Sequence, residues 1–286
     1  MKKNLIYLTA ILICSGMFFL YLLGVMSQRD TRAPEIIVSE EVLEVSVLDP
    51  KAALLQGATA RDNKDGDVTD SLIVVSVELV DAEGAIQVTY AAFDAAGHVT
   101  QAIRQGKYTD YESPRFSLDA SLAFAYGSGF DVFGIVHADD VLDGDITHRV
   151  RIASQDDTAI STVGPHEVEL KVSNSLGETV SLVVPVEVYD AGTYDAALTL
   201  TDYLVYIPVN SNFDAKSYLS AYTRSGEMVA LGRNMPEGYS LEMKNNVKPG
   251  VPGVYTVEYR VTQKVGVGDG MRSYTGYAKL IVVVEG

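Results

Sequence analysis

An acidic phrase occurs twice in this chain, as Asp62, Asn63, Lys64, Asp65, Gly66, Asp67, Val68, Thr69 and as Asp140, Val141, Leu142, Asp143, Gly144, Asp145, Ile146, Thr147, with Asp140 standing 78 positions after Asp62. A recurrence at that spacing makes the chain a tandem repeat. Repeats of roughly 80 residues, rich in short apolar runs and turn residues, are the size of single β-sandwich modules.

A matching strand follows each phrase. Gly84 through Val88, Tyr90 and Asp94 to Gly97 aligns with Gly164 through Val168, Leu170 and Asn174 to Gly177, and Gly253, Val257, Tyr259 and Val261 carry the strand a third time. Apolar and polar residues alternate along it, clearly so in the second and third copies, which is the period of a strand with one face on a core. Val168, Leu170 and Val172 are expected to point inward, as are Tyr255, Val257, Tyr259 and Val261. Asp94 to Gly97 and Asn174 to Gly177 read as tight hairpin turns, and strands over 99–103, 180–188 and 277–284 close the three copies. The expected organisation is an N-terminal segment 1–32, modules 33–110 and 111–190 with the acidic turn, and a divergent tyrosine-rich module 191–286. The linkers, Arg32 to Pro34, Tyr111 to Pro114 and Asp190 to Thr193, are short and imply a semi-rigid rod.

Leu5 to Met26 form 22 consecutive uncharged positions behind Lys2 and Lys3. At about 1.5 Å per residue that run spans a hydrocarbon layer of about 30 Å. It is longer than the usual h-region of a cleaved signal, so the expectation is an uncleaved single-pass anchor with residues 33–286 outside the cytoplasm. Cleavage near Ser27, releasing a secreted protein, is the competing reading. The single cysteine, Cys14, lies inside the run behind Ile13 and reads as a small apolar helix residue rather than a lipid attachment point. Residues 33–286 therefore hold no cysteine, and packing alone must stabilise them.

The formal net charge is −16, and it is more negative still without Lys2, Lys3, Arg29 and Arg32. Such a surface repels phosphate backbones, which argues against nucleic acid as a partner.

Taken in order, Ala33-Pro34, Asp49-Pro50, the run Ala60 to Asp70, Gly84 leading to Val88, Thr89 and Tyr90, and Asp94 to Gly97 resemble the bacterial immunoglobulin-like surface domain, found in tandem in Gram-positive cell-surface proteins and related to modules of a pesticidal crystal protein and of the hyaline-repeat group. The second copy departs at His148, which stands where the first has Asp70. The third keeps Phe213-Asp214, Tyr218-Leu219, Gly253 to Tyr259 and Gly276 to Glu285, and lacks the acidic phrase. The resemblance implies Ig-like sandwiches displayed at the cell surface in adhesion or ligand binding and without catalysis, so that, with the 5–26 run, the expected fold is an all-β chain of three tandem Ig-like sandwiches behind one transmembrane helix. A structural spacer or envelope scaffold with no ligand is the alternative, and an accessory or hydrolase of carbohydrate chemistry a remoter one. The antibody-type tryptophan and cysteine pair are absent.

Asp62, Asp65, Asp67 and Asp70, with Asp140, Asp143 and Asp145, are the candidate metal ligands, since an oxygen-rich loop suits calcium and its roughly 6–8 oxygen ligands. The loop is not an EF-hand: with Gly66 in that loop's glycine position, Arg61 and Leu72 would fall where ligands belong. The residues favour a structural turn, in which the carboxylates cap backbone N–H groups and Gly66 and Gly144 take positive φ. His137 and His148 flank the second phrase without metal-ligand spacing, and His98 and His166 show no evident partner. No nucleophile elbow or phosphate-binding loop is present in the sequence. Tyrosine is the surplus residue, 17 against 8 phenylalanines and no tryptophan. Most are expected to pack, and the remainder make the third module the candidate recognition face for a wall polysaccharide, glycan or protein.

Overall fold

The computed structural model describes residues 11–22, 24, 30–129, 131–152, 162–266 and 270–286. The protein is all-β, and it divides into two compact units, Met1–Asp110 and Tyr111–Gly286.

In the first unit, strands Glu35–Val38, Ala58–Asp62 and Gly66–Asp67 form one antiparallel sheet. A second sheet runs in the order Leu43–Val45, Val99–Tyr108, Ala85–Phe93, Ile73–Leu79, its first strand parallel to its neighbour and the rest antiparallel. Ile86, Val88 and Tyr90 are wholly buried while Ala85, Gln87 and Thr89 between them are only half-buried, so the period-2 pattern sets the inward face. Burying each such side chain contributes about 1.5–3 kcal/mol relative to exposure. The hydroxyl of Tyr90 donates to the carbonyl of Leu54 at 2.7 Å, tying the strand to the short 3-10 helix Lys51–Leu55.

The second unit opens with the same two sheets. Arg115–Leu118, Val136–Asp140 and Gly144–Asp145 form one. Ala123–Ala125, Thr179–Tyr189, Gly164–Ser173 and Arg151–Ile152 form the other, again with the first strand parallel to its neighbour. Val168, Leu170 and Val172 point inward as the alternation requires.

Residues beyond 190 depart from this plan. Their strands join into one seven-stranded sheet, because the long strand Arg272–Glu285 pairs in parallel first with Ala196–Leu200 and further along with Leu204–Pro208. Gly276 allows the first contact: a Cβ there would stand 3.2 Å from the carbonyl oxygen of Ala196. Val257, Tyr259 and Val261 are wholly buried, and Tyr255 is half-buried rather than inward. One core runs through the whole unit, from Phe116 and Val168 to Tyr259 and Leu280. Across it, Phe116 N–H donates to the Tyr206 hydroxyl at 3.1 Å, and Lys279 N–H to Ser121 Oγ at 2.9 Å.

Residues 11–22 are helical with exposed side chains, and among the described residues no helix is long and apolar enough to cross a membrane. The rest of the expected 5–26 span lies, apart from Gly24, outside the described residues.

Candidate functional site

Both acidic phrases fold into the same turn, for reasons local to each residue. Oδ1 of Asp62 accepts the N–H groups of Lys64 at 2.6 Å and Asp65 at 3.0 Å, and Oδ1 of Asp140 accepts those of Leu142 and Asp143, both at 2.9 Å. These bonds close the turn from the side chain, as Asp does two and three residues ahead of itself. Gly66 at φ 77° and Gly144 at φ 68° take the left-handed conformation that reverses the chain. Asp67 and Asp145 cap the N–H groups of Thr69 and Thr147 at 3.0 and 2.9 Å, and the threonine hydroxyls accept from Ala60 and Ala138 at 3.0 and 3.1 Å. Ile146 plugs the core at 1% exposure, while Val68 is only half-buried.

The neighbourhoods of the two turns differ. Around the first, oxygens of Asp30, Asp62 and Asp65 lie within 4.8 Å of one another, and ligand atoms of Asp30, Asp94 and His98 do likewise. Asp62 is 4% exposed, yet among the described residues its Oδ2 has no hydrogen-bond partner, and neither does Oδ2 of Asp30. The N–H groups of Asp65 and Lys64 hold the Asp62 carboxyl below its ordinary range. Asp65 Oδ2 accepts Ala95 N–H at 2.8 Å, and the enclosed carboxylate of Asp94 meets His98 N–H at 2.7 Å and His98 Nδ1 at 2.6 Å.

Around the second turn the corresponding places are filled by donors. Asn174 stands where the first copy has Asp94, and its amide donates to Asp140 Oδ2 at 3.1 Å and to the Tyr111 hydroxyl at 2.7 Å. Tyr111 in turn donates to Glu178, and Ser113 Oγ donates to the other oxygen of Glu178 at 2.7 Å. Arg149, at the place of Ser71, pairs with Asp143 Oδ2 at 2.5 Å, and Ser175 N–H reaches the same oxygen at 2.7 Å.

Of the candidate ligands, the structure therefore brings Asp62 and Asp65 together with Asp30, which no reading of the phrase indicated. Asp67 and Asp145 are engaged as caps, and Asp70 is exposed. Asp140 accepts a hydrogen bond from Asn174, and Asp143 is paired with Arg149. His137 meets Asp119 at 2.7 Å, and His166 the carbonyl of Thr162 at 2.7 Å, so His98 and His166, which show no partner in the sequence, both have one. The signal that could have found Asp94 is its replacement by Asn174 in an otherwise matching hairpin.

None of the ten tyrosines beyond residue 190 is exposed. Their hydroxyls tie the fold: Tyr259 donates to the carbonyl of Ala215 at 2.7 Å, and Tyr222 to that of Tyr274 at 2.9 Å. One group still borders a groove in the second unit. Tyr194 stacks on Tyr277 with centroids 4.9 Å apart and planes 10° from parallel, and Lys244, Glu258 and Arg260 line the same groove. Glu187, also in the lining, pairs with the buried Lys279 at 3.2 Å. Burial pushes the Tyr277 hydroxyl up, with Glu258 and Glu187 adding to the effect, so it is a neutral donor at any physiological pH.

No family model matches the chain. A curated protein described as an uncharacterized 81.3 kDa protein of Acholeplasma phage L2 is 30% identical over 107 residues, which are 37% of this chain and 13% of that protein. The chain thus spans a small part of the relative's length. Among solved structures, a carbohydrate-binding module with INT domains from Clostridium perfringens ZmpB covers 88% of this chain and 44% of its own at 14% identity and a TM-score of 0.22. Mouse cadherin-23 EC22-24 covers 89% and 99% at 11% identity and a TM-score of 0.20. Protocadherin gamma B2 extracellular cadherin domains 1-5 cover 89% and 60% at 11% identity and a TM-score of 0.20. All three are multidomain chains, and at these scores they carry no argument about this one.

Proposed function

We propose that this is a non-catalytic, extracytoplasmic protein of immunoglobulin-like modules, held at the cell membrane through residues 5–26, that binds a wall polysaccharide, glycan or protein ligand through its second unit. The groove at Tyr194 carries the proposal. A stacked pair of aromatic rings supplies an apolar platform, and Lys244, Arg260 and Glu258 supply donors and acceptors of both signs around it. Aromatic and arginine side chains in a recess are what binding hot spots are made of. The test is retention of the full chain, in detergent, on glycan arrays and purified cell-wall fractions. A Tyr194→Ala, Arg260→Ala variant is expected to lose at least about tenfold in affinity, on the scale of about 1.4 kcal/mol or more. Retention of wild type and variant alike would remove the groove from the proposal.

The fate of the other tyrosines favours a second reading, a spacer or scaffold without a ligand of its own. The hydroxyls of Tyr222, Tyr255 and Tyr259 donate to backbone carbonyls, and those of Tyr203 and Tyr206 accept backbone N–H groups. That reading predicts an elongated monomer in small-angle scattering and no saturable ligand in the same binding screen.

A further inference from the structure

We propose that Asp30, Asp62 and Asp65, with Asp94 enclosed beside them, hold one divalent cation of the calcium class in the first unit, and that the second copy of the turn has exchanged this site for protein hydrogen bonds. Two independent observations carry it.

The first is the buried, partnerless oxygen. Asp62 is 4% exposed and its Oδ2 is without a hydrogen-bond partner among the described residues, as is Oδ2 of Asp30, and a carboxylate oxygen of each lies within 4.8 Å of the other. A buried carboxylate oxygen left unpaired costs roughly 1–3 kcal/mol or more, and carboxylates with oxygens within 4.8 Å of one another repel besides. Bound metal relieves both penalties at once, because its ligands are deprotonated carboxylates. Three carboxylates from three residues, with water completing the shell, fit a hard cation that takes oxygen ligands at about 2.3–2.6 Å. His98 turns Nδ1 to Asp94 at 2.6 Å, so it orients that carboxylate rather than standing in the shell.

The second is the internal control. In the other copy the same buried oxygen, Asp140 Oδ2, is met by the Asn174 amide, and the next carboxylate, Asp143, by the Arg149 guanidinium. Tyr111 closes the remaining side, where residues ahead of the first strand supply Asp30 in the first copy. The Asn174 amide meets the oxygen whose counterpart on Asp62 is left without a partner among the described residues. One copy is closed by its own side chains, and the other needs a ligand of opposite charge.

The experiment is calorimetric titration of the full chain in detergent with CaCl2, MgCl2 and ZnCl2, for wild type and for Asp62→Asn, Asp30→Asn, Asp67→Asn and Asp70→Asn. Wild type is expected to bind calcium saturably. Asp62→Asn and Asp30→Asn should weaken binding at least tenfold, while Asp67→Asn and Asp70→Asn leave it within twofold, since their carboxylates face elsewhere. Asp30 lies ahead of the first strand, so its variant decides the matter even where Asp62→Asn does not fold. Absence of saturable calcium binding, unchanged affinity in Asp30→Asn, or loss in Asp70→Asn equal to that in Asp30→Asn would overturn the site. Zinc binding tighter than calcium would overturn the hard-cation assignment in favour of His98 as a ligand.

Discussion

Asn174 donates its side-chain amide to Oδ2 of Asp140 at 3.1 Å, and the two residues are 6% and 5% exposed. That bond is one of the differences between two turns of the same backbone design, because the residue in Asn174's place in the first copy is Asp94, which has no proton to donate when charged. The fold is repeated and the chemistry is not.

Asn174→Ala removes the donor and leaves a buried carboxylate oxygen without a partner. The expected destabilisation is about 1–3 kcal/mol, read from chemical denaturation of the second unit's transition. Asn174→Asp should cost more, because it places a like charge at hydrogen-bond distance. Stability unchanged by either would show that Asp140 does not depend on the amide.

The second unit's acidic turn should also set an acid limit. Thr147, through its hydroxyl and its N–H, holds Asp145 below the ordinary carboxylate range. Burial pushes Asp143 upward, but hydrogen bonds from Ser175 and Arg149 outweigh it, and its net shift is also downward. A carboxyl depressed in the folded state stabilises fully above its unfolded pKa of about 3.9, and the contribution is lost as pH falls through the folded values. The melting temperature should be nearly level from pH 7 to about 5 and decline below about 4. Asp145→Asn is expected to shallow that acid limb, and circular dichroism melts across the range check it. An identical acid limb in the variant would contradict the assignment.

Tyr90 and Tyr259 occupy matching strand positions and make the same bond, each hydroxyl donating at 2.7 Å to a carbonyl of a 3-10 helix, Leu54 in one case and Ala215 in the other. Tyr90→Phe and Tyr259→Phe should each destabilise their unit by about 0.5–1.5 kcal/mol. Leu170 holds the place in the copy between them, so no hydroxyl is lost there, and the cleanest comparison is the unfolding free energy of each phenylalanine variant against wild type.

The turn was readable from the phrase because its bonds are local: Asp reaches N–H groups two and three residues on, and Gly66 and Gly144 sit where the chain must reverse. Inward faces were readable from alternation at Val168, Leu170 and Val172. Two things were not. Asp30 and Asp94 reach Asp62 from a lead-in segment and from a separate hairpin, and nothing in the spacing of a phrase reports what arrives from elsewhere. The joining of the strands beyond residue 190 into one sheet depends on the length of Arg272–Glu285 and on a close approach at Gly276, a tertiary choice that strand period does not encode. That most of the tyrosines pack follows from the residue type, and where Tyr222 and Tyr259 do so their hydroxyls meet backbone carbonyls.

The most direct measurement is an anomalous difference map from crystals of the protein grown with calcium. One peak is expected among Asp30, Asp62 and Asp65, and none beside Asp140, where Asn174 and Arg149 already supply the donors. Peaks at both turns, or at neither, would contradict the division of roles between the two copies.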